Sequence, residues 1–343
     1  MSKYIKNPFV ISGTFLLFSI VFVFIFFSKV SKDSLLEQVQ HRQQLSVRMG
    51  SKLVENLINS VGKSILMISN NPTQEELNLF VDNWQSSGIV GITFLDKNGK
   101  VIKSSNILNL SDLGQDLSDR DYFEWAAKST PKTYKVFVPI LSKRGPSKGT
   151  YIIPIATAVF DKNQKFDGVL VSAVPLFNLS KDYLNDIKIL DNSQIYLITK
   201  EGVIIFSDDQ SILGKSYTEI LSQDFLGKSK VFSVINEKLE EPGESKFGLV
   251  IPNLTNKSIL EPYLISMASI HANDQIWKIV EITPQKELNS FVYDSLNKRI
   301  LAIFVVAALF VGIALRYSRN SGYHEAVSNE HKIHGIDQKI SLK

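Results

Sequence analysis

The sequence predicts an α+β protein: a long N-terminal helix and two tandem, similar antiparallel-sheet modules, flanked by two transmembrane helices. Three observations predict it. Long apolar runs, Phe9 to Phe27 and Ile300 to Leu315, stand at opposite ends of the 343-residue chain. Apolar residues recur at helical spacing from Val54 to Ile68. A strand-turn-strand pattern near residue 99 returns about a hundred residues later, a period that marks a duplicated domain rather than a solenoid.

The first run carries no charge between Phe9 and Phe27 and at helical rise spans roughly 28 Å, close to the hydrocarbon thickness of a bilayer. Its bulky aromatic end and the lack of a small-residue cleavage site predict an uncleaved anchor over 9–28 rather than a signal peptide. The second span, 299–316, is bounded by Arg299 and Arg316, which can snorkel to the interfaces. Lys3 and Lys6 place 1–8 in the cytoplasm. A long intervening domain translocates largely regardless of its charge, so the central region is expected outside the inner membrane, with both termini cytoplasmic. A net charge of +4 made of dispersed lysines gives no basic stripe, and no nucleic-acid partner is expected. With no cysteine, disulfides and thiolate chemistry are ruled out.

Val54, Leu57, Ile58, Val61, Ile65 and Ile68 predict a stalk helix within 31–72 that ends at Asn70-Asn71-Pro72, with Gly50 and Gly62 as its weak points. A second helix starts at the Thr73/Glu76 capping-box spacing and sets Leu77, Phe80 and Trp84 on one face. The period then changes. Ile92 to Ser105 reads as two strands around Asn98-Gly99, and Ile195 to Asp208 repeats the layout, aligning Lys97 with Lys200, Gly99 with Gly202, Ile102 with Ile205 and Ser104 with Ser207. Gly168 to Pro175 closes the first copy with a strand, as Trp277 to Pro284 closes the second. The modules are expected over 73–185, membrane-distal, and 186–295, membrane-proximal.

The long helix, the paired modules, the segment Gly114 to Phe123, the strands Gly149–Phe160 and Gly168–Pro175, and Trp277 to Val280 together resemble the double Cache (dCache) sensor family, over about residues 31 to 295 and both flanking spans. The resemblance implies two stacked PAS-like modules, a small ligand held in the distal one, and a signal passed across the membrane. It makes Arg120, Tyr122 and Phe123 the counterparts of the family's Arg-x-aromatic-aromatic ligand motif. Read on its own, Arg120 falls in the first turn of a short helix capped by Ser118 or Asp119, where a cation opposes the helix dipole and calls for an anionic partner. That partner is either a ligand carboxylate or Asp116 or Asp121. The family's amino-acid receptors resemble one another in a ligand-ammonium carboxylate on the closing strand, where this chain has Ala173, and in a Trp where it has Tyr122. A simple carboxylate or another small polar ligand is therefore expected ahead of an α-amino acid, whose buried amine would go unpaired. Lys143, Arg144 and Lys148 read as a solvated hairpin tip ahead of the alternative, a segment that adds positive charge near the site.

No enzyme is expected. Gly-Lys-Ser occurs at Gly62, Gly214 and Gly227, but the earlier glycine of a phosphate loop is replaced by Leu57, Asp209 and Ser222. Of the five histidines only His41 and His271 fall outside the cytoplasmic tail, and His271 reads as a turn residue. His324, His331 and His334 lie in a tail with no buried face to hold a metal, so no metal or cofactor is expected. That tail, 317–343, is too short for a cyclase, kinase or phosphodiesterase. The expectation is a membrane-anchored sensor acting through a homodimer, a separate cytoplasmic output protein or a domain lost from the chain. The alternative is a structural or adhesive surface protein with a vestigial pocket.

Overall fold

The computed structural model describes residues 8–143, 145–221, 225, 227–253, 259–294, 296–298, 301–302, 305 and 309. Helix α1 (Pro8–Ile68) runs unbroken through Gly50 and Gly62. Both glycines are points of close packing rather than weakness. A Cβ on Gly62 would stand 2.2 Å from Tyr134 Cε2, and one on Gly50 would stand 2.6 Å from Ile187 Cδ1. The helix buries Val47, Val54, Leu57, Ile58, Val61 and Ile65 along one stripe, and Pro72 follows its end. In α2 (Gln74–Trp84), Thr73 Oγ1 accepts from the Glu76 amide at 3.2 Å, and Leu77, Phe80 and Val81 are buried.

Two antiparallel sheets follow. The first comprises β1 (Gly91–Asp96), β2 (Val101–Asn106), β3 (Tyr134–Val136), β4 (Ile140–Leu141), β5 (Tyr151–Phe160) and β6 (Phe166–Pro175), in the order β2-β1-β6-β5-β3, with β4 also on β5. The second comprises β7 (Gln194–Thr199), β8 (Ile204–Phe206), β9 (Glu244–Pro252), β10 (Leu260–Ala272) and β11 (Gln275–Pro284), in the order β8-β7-β11-β10-β9. Helices α3 (Asp121–Ala127) and α4 (Leu176–Leu179) accompany the first sheet, and α5 (Tyr217–Ile220) and α6 (Lys228–Glu240) the second.

The duplication extends to register. Phe94 pairs with Leu170 as Leu197 pairs with Ile279, and both hairpins carry a bulge at the same place. Gly99 and Gly202 turn the two hairpins at φ +83° and +82°, a region open to glycine without a Cβ clash. In the first, Asp96 Oδ1 also accepts from the amides of Asn98 and Lys100, each at 2.9 Å.

Alternation divides each sheet's two faces. Ile92, Phe94, Leu170 and Val174 of the first sheet share one core with α1 and α2, and so do Leu197, Trp277 and Ile279 of the second. The opposite face of the first sheet, with Leu95, Val169 and Val171, packs on Tyr122 and Ala126 of α3. That of the second, with Tyr196, Ile198 and Val280, packs on Tyr217, Val231, Ile235 and Leu239. Each sheet is thus a layer between α1 and its own short helices.

Apart from residues 8–36 of α1, these elements lie in the compact unit Glu37–Leu288. In the other unit, formed by the chain's two ends, Val292 and Leu296 are buried and Lys32 Nζ donates to Tyr293 Oη at 2.7 Å. Among the described residues no helix is long and apolar enough to cross a membrane. The expected span 9–28 is helical within α1, with most of its side chains outside the described residues, and most of the expected span 299–316 lies outside them. The tail 317–343 with its three histidines, and Arg144, also lie outside the described residues.

Candidate functional site

A cavity of about 130 Å³ opens between the outer face of β1 and β6, the loop from β2 to α3, and the turn Gly145–Ser147 before β5. Local bonding shapes its walls. Two backbone bonds at Val101 tie the loop's return to β2: Val101 N donates to Gln115 O at 2.9 Å, and Gly114 N donates to Val101 O at 2.8 Å. Asn106 holds the loop's outward limb: its Nδ2 donates to Leu110 O at 2.7 Å, and its Oδ1 accepts from the amides of Leu108 and Leu110. Asn106 lines the cavity but is committed to the loop, as Ser172 is to Gly91 O at 2.9 Å. The loop positions Asp112, Gln115 and Leu117 on the cavity wall.

Arg120, Tyr122 and Ala173 meet at this cavity, and Phe123 does not. Phe123 packs edge-on against Phe166 at 6.1 Å between ring centroids, while Tyr122 packs against Phe137. Adjacent helical residues point about 100° apart, and here the two rings turn to different neighbours. The expected cap is also corrected. Neither Ser118 nor Asp119 caps α3; Arg120 is itself the N-cap, in extended conformation with no side-chain capping bond. Its carbonyl accepts from the amides of Phe123 and Glu124, and its guanidinium is left for the cavity. The side chain is 16 % exposed, and its Nε stands 3.9 Å from Asp119 Oδ1, a loose pair. A cation at the head of a helix remains opposed by the peptide dipoles, so an anion in the cavity would be favourable.

Two lining groups, Asp112 and Gln115, carry no sequence signal, and a third, Lys143, departs from its expected place. Lys143, expected on a solvated tip, reaches the cavity wall; Lys148 does not. Asp112 and Gln115 arrive from the loop. No local spacing marks these residues, because sheet pairing and loop bonding bring them together.

Among its described residues the second module has no counterpart of this arrangement. Gly214 N to Ile204 O and Ile204 N to Lys215 O repeat the bonds of Gly114 and Gln115, and Ser216 pairs with Val203 as Asp116 does with Lys100. Tyr217 then begins α5 at once, whereas Leu117 is followed by Ser118, Asp119 and Arg120 before α3. That extra stretch carries the arginine. The equivalent space, about 60 Å³, is apolar, walled by Ile198, Ile204, Tyr217 and Met267. A wider polar cleft of about 890 Å³ runs beside β7 and the segment 207–220. Within it Lys188 pairs with Asp208 at 2.7 Å, and hydrogen bonds from Ser211 hold the Asp209 carboxyl below its ordinary range. The first module's cavity is the better candidate because Arg120, Tyr122 and Ala173 meet there.

The family described as Cache domain (dCache_1) matches residues 28–291. Among solved structures, the periplasmic sensory domain of the Campylobacter jejuni chemoreceptor Tlp1 is 11% identical at a TM-score of 0.50, covering 76% of this chain and 97% of that one. The ligand-binding domain of the Pseudomonas aeruginosa PAO1 amino acid chemoreceptor PctB, in complex with L-Arg, is 13% identical at a TM-score of 0.51, covering 74% and 97%. That of the Pseudomonas fluorescens chemoreceptor CtaA, in complex with L-isoleucine, is 16% identical at 0.50, covering 76% and 98%. At these identities the likeness is one of fold. No curated protein matches in sequence.

Proposed function

The chain belongs to the Cache domain family, and from that premise we propose that it is a membrane-anchored extracytoplasmic sensor whose distal module holds a small anionic or polar ligand at Arg120. One observation carries the reading: an inward guanidinium with only a loose ion pair, on the wall of an open cavity of about 130 Å³. A guanidinium fork suits a carboxylate, and Tyr122 supplies an aromatic wall. The small ligands named for PctB and CtaA support a small polar ligand here.

Two-pass anchoring through 9–28 and 299–316 is supported by the uncharged first run and by the exposure of Phe22, Phe26, Leu301, Val305 and Leu309, which suits lipid. Signalling passes to a second copy or to a separate cytoplasmic output protein, and it requires that ligand bind two arrangements of the chain unequally. The alternative, an adhesive surface protein, is favoured by one feature: Ile107, Leu108, Leu110 and Leu113 are all exposed on one loop.

The test is thermal unfolding of the full chain in nanodiscs with millimolar acetate or propionate. A ligand that binds only the folded state raises the midpoint. Arg120→Ala is expected to abolish that rise and leave the unliganded midpoint nearly unchanged. A marked fall in the unliganded midpoint, with the rise retained, would make Arg120 a structural residue and end the sensor reading at this site.

A further inference from the structure

The second sheet carries a buried acid where the first carries a serine. Counted back from the closing prolines, Pro175 and Pro284, Glu281 of β11 takes the place of Ser172 of β6, whose hydroxyl donates to Gly91 O at 2.9 Å. Glu281 is 0 % exposed and lies on the face turned to α1. A chain of side-chain bonds leads to it. Gln43 Nε2, from α1, donates to Thr283 Oγ1 at 3.0 Å, and Thr283 Oγ1 and Ser193 Oγ stand 2.7 Å apart. The Ser193 hydroxyl bonds the Glu281 carboxyl, whose Oε1 also accepts from the Ile189 amide at 3.3 Å. One direction of donation satisfies every link: Gln43 to Thr283, Thr283 to Ser193, Ser193 to Glu281.

Three polar atoms are left over. Glu281 Oε2, Gln43 Oε1 and Ser266 Oγ are buried and have no hydrogen-bond partner among the described residues, and Ser266 stands directly opposite Glu281 in the β10–β11 register. With the carboxyl ionised, two acceptor oxygens share the single proton of Ser266, and a buried acceptor left unmet is costly. A proton on Oε2 supplies the missing donor. It also removes a charge that little else holds. Gln43, Ser266 and, on β7, Ile195 are neutral; Lys188, in the segment before β7, is paired with Asp208 at 2.7 Å; and His41, Arg42 and Asp191 are exposed. Burial pushes the carboxyl up from 4.5 to about 7.

From this geometry we propose that Glu281 is a proton-operated latch between α1 and the second sheet, closed when neutral and loosened when ionised, which gives the chain a response to pH at a site separate from the cavity at Arg120. The latch bears on the helix itself. Gln43 is held to β11 through Thr283 and the Glu281 carbonyl, and Gln44 beside it donates to Met267 O of β10 at 3.2 Å. An ionised carboxylate demands water in that contact, and water there parts α1 from both strands around residue 43. The closed latch binds the proton more tightly than the opened one, so its contribution is complete below about 4.5 and is lost as pH rises through about 7. Nothing in it depends on a ligand at Arg120.

The test is hydrogen exchange, read by mass spectrometry, on the full chain in nanodiscs at about pH 6 and about pH 8. After correction for the intrinsic pH dependence of amide exchange, opening of residues 39–50 is expected to rise about tenfold between the two, the factor that linkage gives for a carboxyl raised from 4.5 to about 7. Glu281→Gln, which cannot ionise, should keep those residues closed at both. The unsubstituted chain gives a second reading that needs no variant: the infrared band of a neutral carboxylic acid should be present at about pH 6 and fade by about pH 8. The latch is overturned by a rise of the same size in Glu281→Gln, by no rise in the unsubstituted chain, or by a rise shared equally with β5 and β6 of the first sheet. A neutral-acid band that is absent at the lower pH, or unchanged at the higher, overturns it as well.

Discussion

Glu281 offers a measurable consequence of burial. It sits on the face of β11 that carries Trp277 and Ile279 toward α1, and it is 0 % exposed. From α1, Gln43 Nε2 donates to the Glu281 carbonyl at 3.4 Å and to Thr283 Oγ1 at 3.0 Å. Burial pushes the Glu281 carboxyl up from 4.5 to about 7, against the opposing pull of the Ile189 amide, the Ser193 hydroxyl and Lys188. Its Oε2 and Gln43 Oε1 have no partner among the described residues. A carboxyl raised in the folded state binds its proton more tightly there than in the unfolded chain. Its contribution is complete below the unfolded value near 4.5 and is lost as pH rises through about 7. Raising the carboxyl by that interval corresponds to a loss of about 3 kcal/mol once both states are ionised. Glu281→Gln keeps the size and a hydrogen-bond donor but removes the titration. In denaturant unfolding of the full chain from about pH 5 to pH 8, the variant should gain on the unsubstituted protein by about 3 kcal/mol, all of it across that window. Parallel pH profiles for the two proteins would refute the reasoning, as would an advantage that shrinks with rising pH.

Two further substitutions test the packing. Lys278 is 2 % exposed, and its ammonium donates to Glu241 O, Gly243 O and Ser269 Oγ, joining the end of α6 to the sheet; Lys278→Met should cost about 2–4 kcal/mol in denaturant unfolding by stranding those acceptors, and an unchanged midpoint would discount the clasp. Gly62→Ala improves helix propensity yet places a Cβ 2.2 Å from the Tyr134 ring, so a net loss of about 1–3 kcal/mol is expected, and a gain in stability would show that the ring yields freely.

The parts legible in the sequence were those set by neighbours in the chain. Gly99 and Gly202 mark hairpins because a positive φ excludes most other residues locally. Gly168–Pro175 and Trp277–Pro284 read as strands because each closes its copy at the matching place, while the common register of the two copies came from the pairing itself. The Thr73 cap and the stripe from Val54 to Ile65 are equally short-range. What only the tertiary structure decided depends on chain segments that meet across long separations. Gly50 and Gly62 looked like weak points until Ile187 and Tyr134 filled the space beside them. Arg120 became the cap of α3 because it ends a three-residue stretch, Ser118 to Arg120, that follows the loop bonding shared with the second module. Asp112, Lys143 and Arg120 came to share one cavity from different elements, and Glu281 lost its water to a helix 238 positions away. Periodicity reports which face of an element is buried, but not which distant group it is buried against, and the charges in this protein take their chemistry from that second fact.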